Sequence, residues 1–145
     1  MPAMTERFVH RLRVRYNECD VQGVVFNANY LVYFDVALNE LLRAALGSYR
    51  ALHDAGLDML VVEATVRYRA PARFEDELDV ALVPEPLGRS SMVCHAEITR
   101  DGGAVAEGRL VHVFATLATQ QKCEIPNWVR EKLDPWTAAT PERAR

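Results

Sequence analysis

The sequence predicts an α+β domain in which one long helix packs against a curling antiparallel sheet. Three observations predict it. A helical apolar period runs from Asn27 to Leu46, and five other segments carry the period or the β-branched content of strands. The later strands are joined by turns too short for the crossovers that parallel neighbours need.

The elements follow in order. Phe8 to Tyr16 alternates, with Phe8, His10, Leu12, Val14 and Tyr16 on one face and Arg11, Arg13 and Arg15 on the other. Asn17 to Phe26 breaks that alternation and reads as a loop. Tyr30, Phe34, Ala37, Leu38, Leu41 and Ala45 then recur at helical spacing, and Leu31 and Leu42 widen the stripe. Asn27 or Asn29 can cap this helix, and Gly47 fits its stop. A stripe so apolar predicts a sheet that curls around the helix. A second short helix is expected over Tyr49–Ala55, capped by Ser48 and stopped by Gly56. Strands are expected over Met59–Arg69, Leu78–Val83, Ser90–Thr99 and Ala104–Ala118, with Asp101-Gly102-Gly103 as a hairpin turn. Pro126 can open a short helix holding Trp128 and Leu133, and the chain from Thr137 reads as disordered. The whole of 1–145 reads as a single domain, with a core of about 7–119 and a C-terminal extension over 120–145.

Composition narrows the function. The 145 residues are 50% hydrophobic, enough for a core, and the formal net charge is −3. That balance excludes the basic excess of a nucleic-acid binder. No apolar run approaches a membrane span, and the first ten residues, MPAMTERFVH, lack the pattern of a signal peptide. Cys19, Cys94 and Cys123 match no zinc or redox spacing, so free thiols in a reducing cytoplasm are expected. His10, His53, His95 and His112 are scattered over different elements without metal-ligand spacing, so they read as structural or surface residues and no metal or other cofactor is expected.

The chemically informative segment is YNECDVQGVVFNANY, from Tyr16 to Tyr30. It feeds a helix N-terminus, whose first N–H groups lack internal partners and suit a polarised carbonyl or oxyanion. Asp20 stands seven residues ahead of Asn27, within reach of a group held there. On the residues alone, a loop aspartate at such a place reads first as a turn former or cap.

The longer stretch RVRYNECDVQGVVFNANYLVYFD resembles the signature of the hotdog-fold thioesterases, in the branch that includes 4-hydroxybenzoyl-CoA thioesterase. The matching elements are Tyr16, Glu18-Cys19, Asp20, Gly23, Val24-Val25, Phe26 and Asn29-Tyr30, and RYRAPARFEDEL from Arg67 to Leu78 extends the likeness. The resemblance implies a hotdog fold, hydrolysis of acyl-CoA thioesters, and a homodimer at least, with sites at its interface and a homotetramer expected. It implies that Asp20 is the catalytic carboxylate, as nucleophile or as general base. It implies that the backbone N–H of Asn27 polarises the thioester oxygen and that Gly23 lets the loop bend into the helix. Val25, Phe26 and Tyr30 fall with Gly23 among the implied substrate-binding positions, Tyr30 at the mouth of an acyl pocket. Many relatives carry His or Tyr where this chain has Asn27.

Other residues enter more loosely. Glu63 is a candidate second acid for orienting water, against a plain exposed strand position. Arg67, Arg69, Arg73 and Arg89 gather in sequence around the Pro71 turn and suit CoA phosphates, against an ordinary solvated edge. Cys19 has no histidine at a partner spacing and reads as facing away from Asp20. Two other functions remain: a non-catalytic acyl-CoA-binding protein, and a hotdog-fold dehydratase or hydratase. The second needs a histidine for proton transfer, and the signature segment holds none.

Overall fold

A computed structural model describes residues 7–138. The order is β1 (Phe8–Arg13), a 3-10 turn (Tyr16–Glu18), α1 (Asn29–Leu46), α2 (Arg50–Asp54), β2 (Leu57–Tyr68), β3 (Glu77–Pro84), β4 (Ser91–Arg100), β5 (Gly103–Thr116) and α3 (Asn127–Leu133). The five strands form one antiparallel sheet in the order β1-β3-β4-β5-β2. It curls around α1 in the expected hotdog arrangement. No described helix is long and apolar enough to cross a membrane.

The core lies between α1 and the concave sheet face. Tyr30, Tyr33, Phe34, Ala37, Leu38, Leu41 and Leu42 of α1 meet Leu78, Val80, Leu82, Met92, Ile98 and Phe114 of the strands. Gly108 is what lets the helix come so close. A Cβ there would lie 2.3 Å from the Phe34 ring and 2.9 Å from the Thr65 carbonyl oxygen. Gly108→Ala is therefore expected to cost roughly 1–3 kcal/mol through overpacking, read from denaturant unfolding.

Several boundaries differ from expectation. β1 stops at Arg13, and Tyr16 turns outward, 77% exposed, in the 3-10 turn. Helix α1 begins at Asn29 with Ala28 before it, and neither Asn27 nor Asn29 caps it with its side chain. Asn29 instead donates its amide to the Glu18 carbonyl at 2.8 Å. Tyr49, not Ser48, precedes α2, and again no side chain caps it. Leu31 points outward, whereas Tyr33 takes its place inside.

The C-terminal segment belongs to the core. Ile125, Val129 and Leu133 are fully buried, and α3 packs on α1. Thr137 and Ala138 are ordered: the Thr137 hydroxyl donates to Asp134 O and the Ala138 N–H to Pro84 O. The disorder expected from Thr137 onward thus fails for these two, and its remainder lies outside the described residues.

Candidate functional site

The loop between β1 and α1 folds back on itself as a miniature hairpin. Cys19 bridges Val25, and the Asp20 N–H donates to Val24 O at 2.9 Å. The Gly23 N–H closes the turn on Asp20 O at 2.9 Å, with Gly23 at φ +80°, a conformation that favours glycine. The second limb is stitched to the Pro71 turn: Val25 N–H donates to Ala72 O at 2.8 Å, and Val24 bridges Arg73.

Asp20 stands at the head of that turn, half-buried. Its Oδ1 accepts the Gln22 N–H at 2.8 Å, and Oδ2 has no protein partner among the described residues. One oxygen orients the carboxylate while the other stays available. Cys19, its neighbour, packs toward the core.

Asn27 follows directly after Phe26, whose N–H is bound to Glu18 O at 2.9 Å. Its carbonyl accepts the Tyr68 hydroxyl at 3.1 Å, which ties the helix entry to the end of β2. The N–H groups of Asn27 and Ala28 find no acceptor among the described residues. A carboxylate oxygen and two free backbone donors therefore occupy the two limbs of one loop.

Glu18 holds this loop to the helix. Its Oε1 accepts the Arg15 N–H at 2.9 Å and the Tyr33 hydroxyl at 2.8 Å, and its Oε2 accepts Arg15 Nε at 3.1 Å. Burial pushes the Glu18 carboxyl up, but the Arg15 N–H, the Tyr33 hydroxyl and the Arg15 guanidinium outweigh it and hold the group below its ordinary range. Burial, then the Glu18 carboxylate, drives Tyr33 far upward. A carboxyl depressed in the fold stabilises it above its unfolded pKa, and the effect fades as pH falls through its folded value. Tyr33→Phe should therefore cost about 1–2 kcal/mol near neutral pH. The gap from the parent should narrow below about pH 4, as followed by urea unfolding.

The remaining predicted residues are dispersed. Tyr30 is core: its ring is buried and its hydroxyl accepts the Ala72 N–H at 3.2 Å. Val25 is buried under the loop, while Phe26 is exposed beside Asn27. Glu63 lies on β2, exposed, and pairs with Arg109 at 3.3 Å. Arg67 and Arg109 face one outer hollow of the sheet with Thr65 and His95. Arg69 is paired to Glu107 at 3.1 Å. Arg73 sits on the loop wall beside Val24. Arg89 does not join them. It lies beyond the far end of β3 from Arg73, with the whole eight-residue strand between them, near Glu124.

The sequence reading missed Tyr33, Tyr68 and Ala72, which hold Glu18, Asn27 and Val25 respectively. Tyr33 stands three residues after Tyr30 on the helix, a spacing that would have marked it.

Residues 14–133 match the family model described as the thioesterase-like superfamily. Acyl-CoA thioester hydrolase YbgC of Escherichia coli is 37% identical over 76 residues, 52% of this chain and 57% of that protein, so the match spans little more than half of the relative. A 1,4-dihydroxy-2-naphthoyl-CoA hydrolase of Thermosynechococcus vestitus is 29% identical over 134 residues, 90% of this chain and 88% of the relative. The crystal structure of a hypothetical protein from Aquifex aeolicus superposes with a TM-score of 0.83 at 31% identity, covering 87% of this chain and 98% of that one. The chain belongs to the thioesterase-like superfamily.

Proposed function

We propose that this protein hydrolyses acyl-CoA thioesters to a free acid and CoA, with Asp20 as nucleophile or general base and the Asn27 N–H as oxyanion donor. The observation that supports this reading is that Asp20 Oδ2 and the N–H groups of Asn27 and Ala28, on the two limbs of one loop, have no partner among the described residues. The hairpin pairing puts Asp20 and Asn27 three residues apart along the ladder, roughly 10 Å between α-carbons. The aspartate side chain covers part of that gap. The rest accommodates a carbonyl, with a carboxylate approaching at about 3–3.5 Å and a donor at about 3 Å. The leaving thiolate, with a pKa of about 8.5, needs little help from an acid.

The assembly is proposed as a homodimer or larger, a homotetramer included. β2 is an edge strand whose only strand partner among the described residues is β5. Val61 and Val62 on it are each 58% exposed, and Leu31, Val32 and Val36 of α1 are exposed as well. An open, apolar edge is a liability that pairing with a second copy removes. The three free cysteines suit a reducing, cytoplasmic setting. Arg67 and Arg73, whose guanidinium groups have no ion-pair partner among the described residues, are the preferred contacts for CoA phosphates.

Release of free thiol across a panel of acyl-CoAs, beside acyl-pantetheines that lack the nucleotide, tests the reading. Thiol release with a lower KM for the CoA esters is expected. Tight binding without release would favour a binding protein, and hydration without release a hydratase.

A further inference from the structure

Asn29 opens α1, yet its side chain caps nothing. It turns back to the preceding loop, where Nδ2 donates to the Glu18 carbonyl at 2.8 Å. A carbonyl can only accept, so it is the amide nitrogen that faces Glu18. The contact is half-buried and joins residues eleven positions apart. The same carbonyl oxygen accepts the Phe26 N–H at 2.9 Å. One acceptor therefore takes a donor from just before Asn27 and another from just after Ala28.

That bracket has a geometric consequence. Glu18 stands two residues ahead of Asp20 on the first limb of the loop, while Phe26 and Asn29 flank Asn27 and Ala28 on the second. The two bonds to Glu18 O fix the separation of the limbs, and with it the gap between the Asp20 carboxylate and the N–H groups of Asn27 and Ala28. The direction of those N–H groups is fixed as well. The Asn29 N–H donates to Phe26 O at 2.8 Å and the Leu31 N–H to Ala28 O at 3.2 Å, and Ala28 already has helical dihedrals, φ −69° and ψ −20°. Without the Asn29 amide, Phe26 alone would tie this segment to the first limb, and Asn27 and Ala28 could swing about that single point.

We propose that Asn29 is a positioning residue for thioester hydrolysis: its amide, bound to the Glu18 carbonyl, sets the distance between Asp20 and the N–H donors of Asn27 and Ala28. The proposal rests on the hydrolase reading. Asn29 acts through the loop and touches no reacting atom, so its loss should slow the chemical step and spare binding. A displacement of about 1 Å between reacting groups can cost roughly a hundredfold in rate.

The test compares the parent with Asn29→Asp and Asn29→Leu. Both keep the approximate size and shape of the side chain and remove the donor. Aspartate also sets an acceptor against the Glu18 oxygen, but a negative charge in the first turn suits the helix dipole, so this variant should fold even where the leucine variant fails. In each folded variant, kcat for the acyl-CoA that the parent hydrolyses fastest should fall by about tenfold to a hundredfold. KM should stay within about threefold of the parent value. A second readout follows the carbonyl itself. The probe is the ketone isostere of acetyl-CoA, with a methylene in place of sulfur and an isotopically labelled carbonyl carbon observed by NMR. Bound to the parent, that carbon should move downfield as the N–H groups polarise the oxygen; in the variants more than about half of the displacement should vanish at unchanged affinity. A merely structural role would lower stability without this pattern. A folded Asn29→Asp protein with kcat within about twofold of the parent, or a loss carried by KM, would overturn the proposal. So would a carbonyl signal that is the same in all the folded proteins. Should the ketone carbon follow the expected pattern while no acyl-CoA releases thiol, the hydrolase reading falls and the placement of the donors by Asn29 stands. Should parent and variants hydrolyse alike, the role of Asn29 falls and the hydrolase reading stands.

Discussion

Asp20→Asn is expected to keep its fold and lose thioester hydrolysis by a factor of about a thousand or more. The two halves of this expectation have separate causes. Asparagine retains the side-chain oxygen that accepts the Gln22 N–H, so the turn that Gly23 closes is preserved. It lacks the negative charge and the basicity that either attack on the carbonyl or activation of water demands. No neighbouring group compensates. Glu18 is the nearest carboxylate in sequence, and both of its oxygens are taken by Arg15 and Tyr33. Cys19 packs inward. Thermal unfolding should therefore coincide for the two proteins to within about 1 kcal/mol, while thiol release collapses in kcat more than in KM. Turnover near the parent rate in a folded Asp20→Asn protein would dismiss Asp20 as the reacting group.

Local periodicity made much of the architecture legible. The helical stripe placed Phe34, Leu38 and Leu41 inside, and alternation placed Leu78, Val80 and Leu82 there too. The errors arise where a distant partner decides. Leu31 looks like core by chemistry and points out, whereas Tyr33 turns in because Glu18, fifteen positions earlier, gives its hydroxyl an acceptor. Asn29 has the composition of a cap, yet its amide closes the loop on Glu18 O. For the candidate site, the loop and its turn were readable around Asp20. The bridge from Val24 to Arg73 was not, because it joins segments 49 positions apart. Arg89 looked close to Arg73 only because sequence distance hides the length of a hairpin arm. His112 shows the reverse: alternation with Leu110 and Phe114 would have placed it inward, but a strand histidine by itself suggests a surface.

Placing lysine at both Val61 and Val62 is expected to convert the assembly to single chains and to lower turnover by at least about a hundredfold. Both valines sit on the open edge of β2, where charged residues are what natural sheets use to prevent edge pairing. The folded chain should survive, because neither side chain is part of its core and exposed substitutions rarely cost more than about 0.5 kcal/mol. The link to turnover comes from the other end of the same strand. Tyr68, the last residue of β2, donates to the Asn27 carbonyl, so a copy paired along this edge would extend to the oxyanion side of the candidate site. A hollow lined by Leu31, Val32, Asp35, Val61 and His112 lies between that edge and α1. Sedimentation and thiol release measured on one sample separate the two ideas. Monomers that hydrolyse at the parent rate would show that one chain holds a complete site, while an undissociated, fully active assembly would move the interface away from β2 altogether.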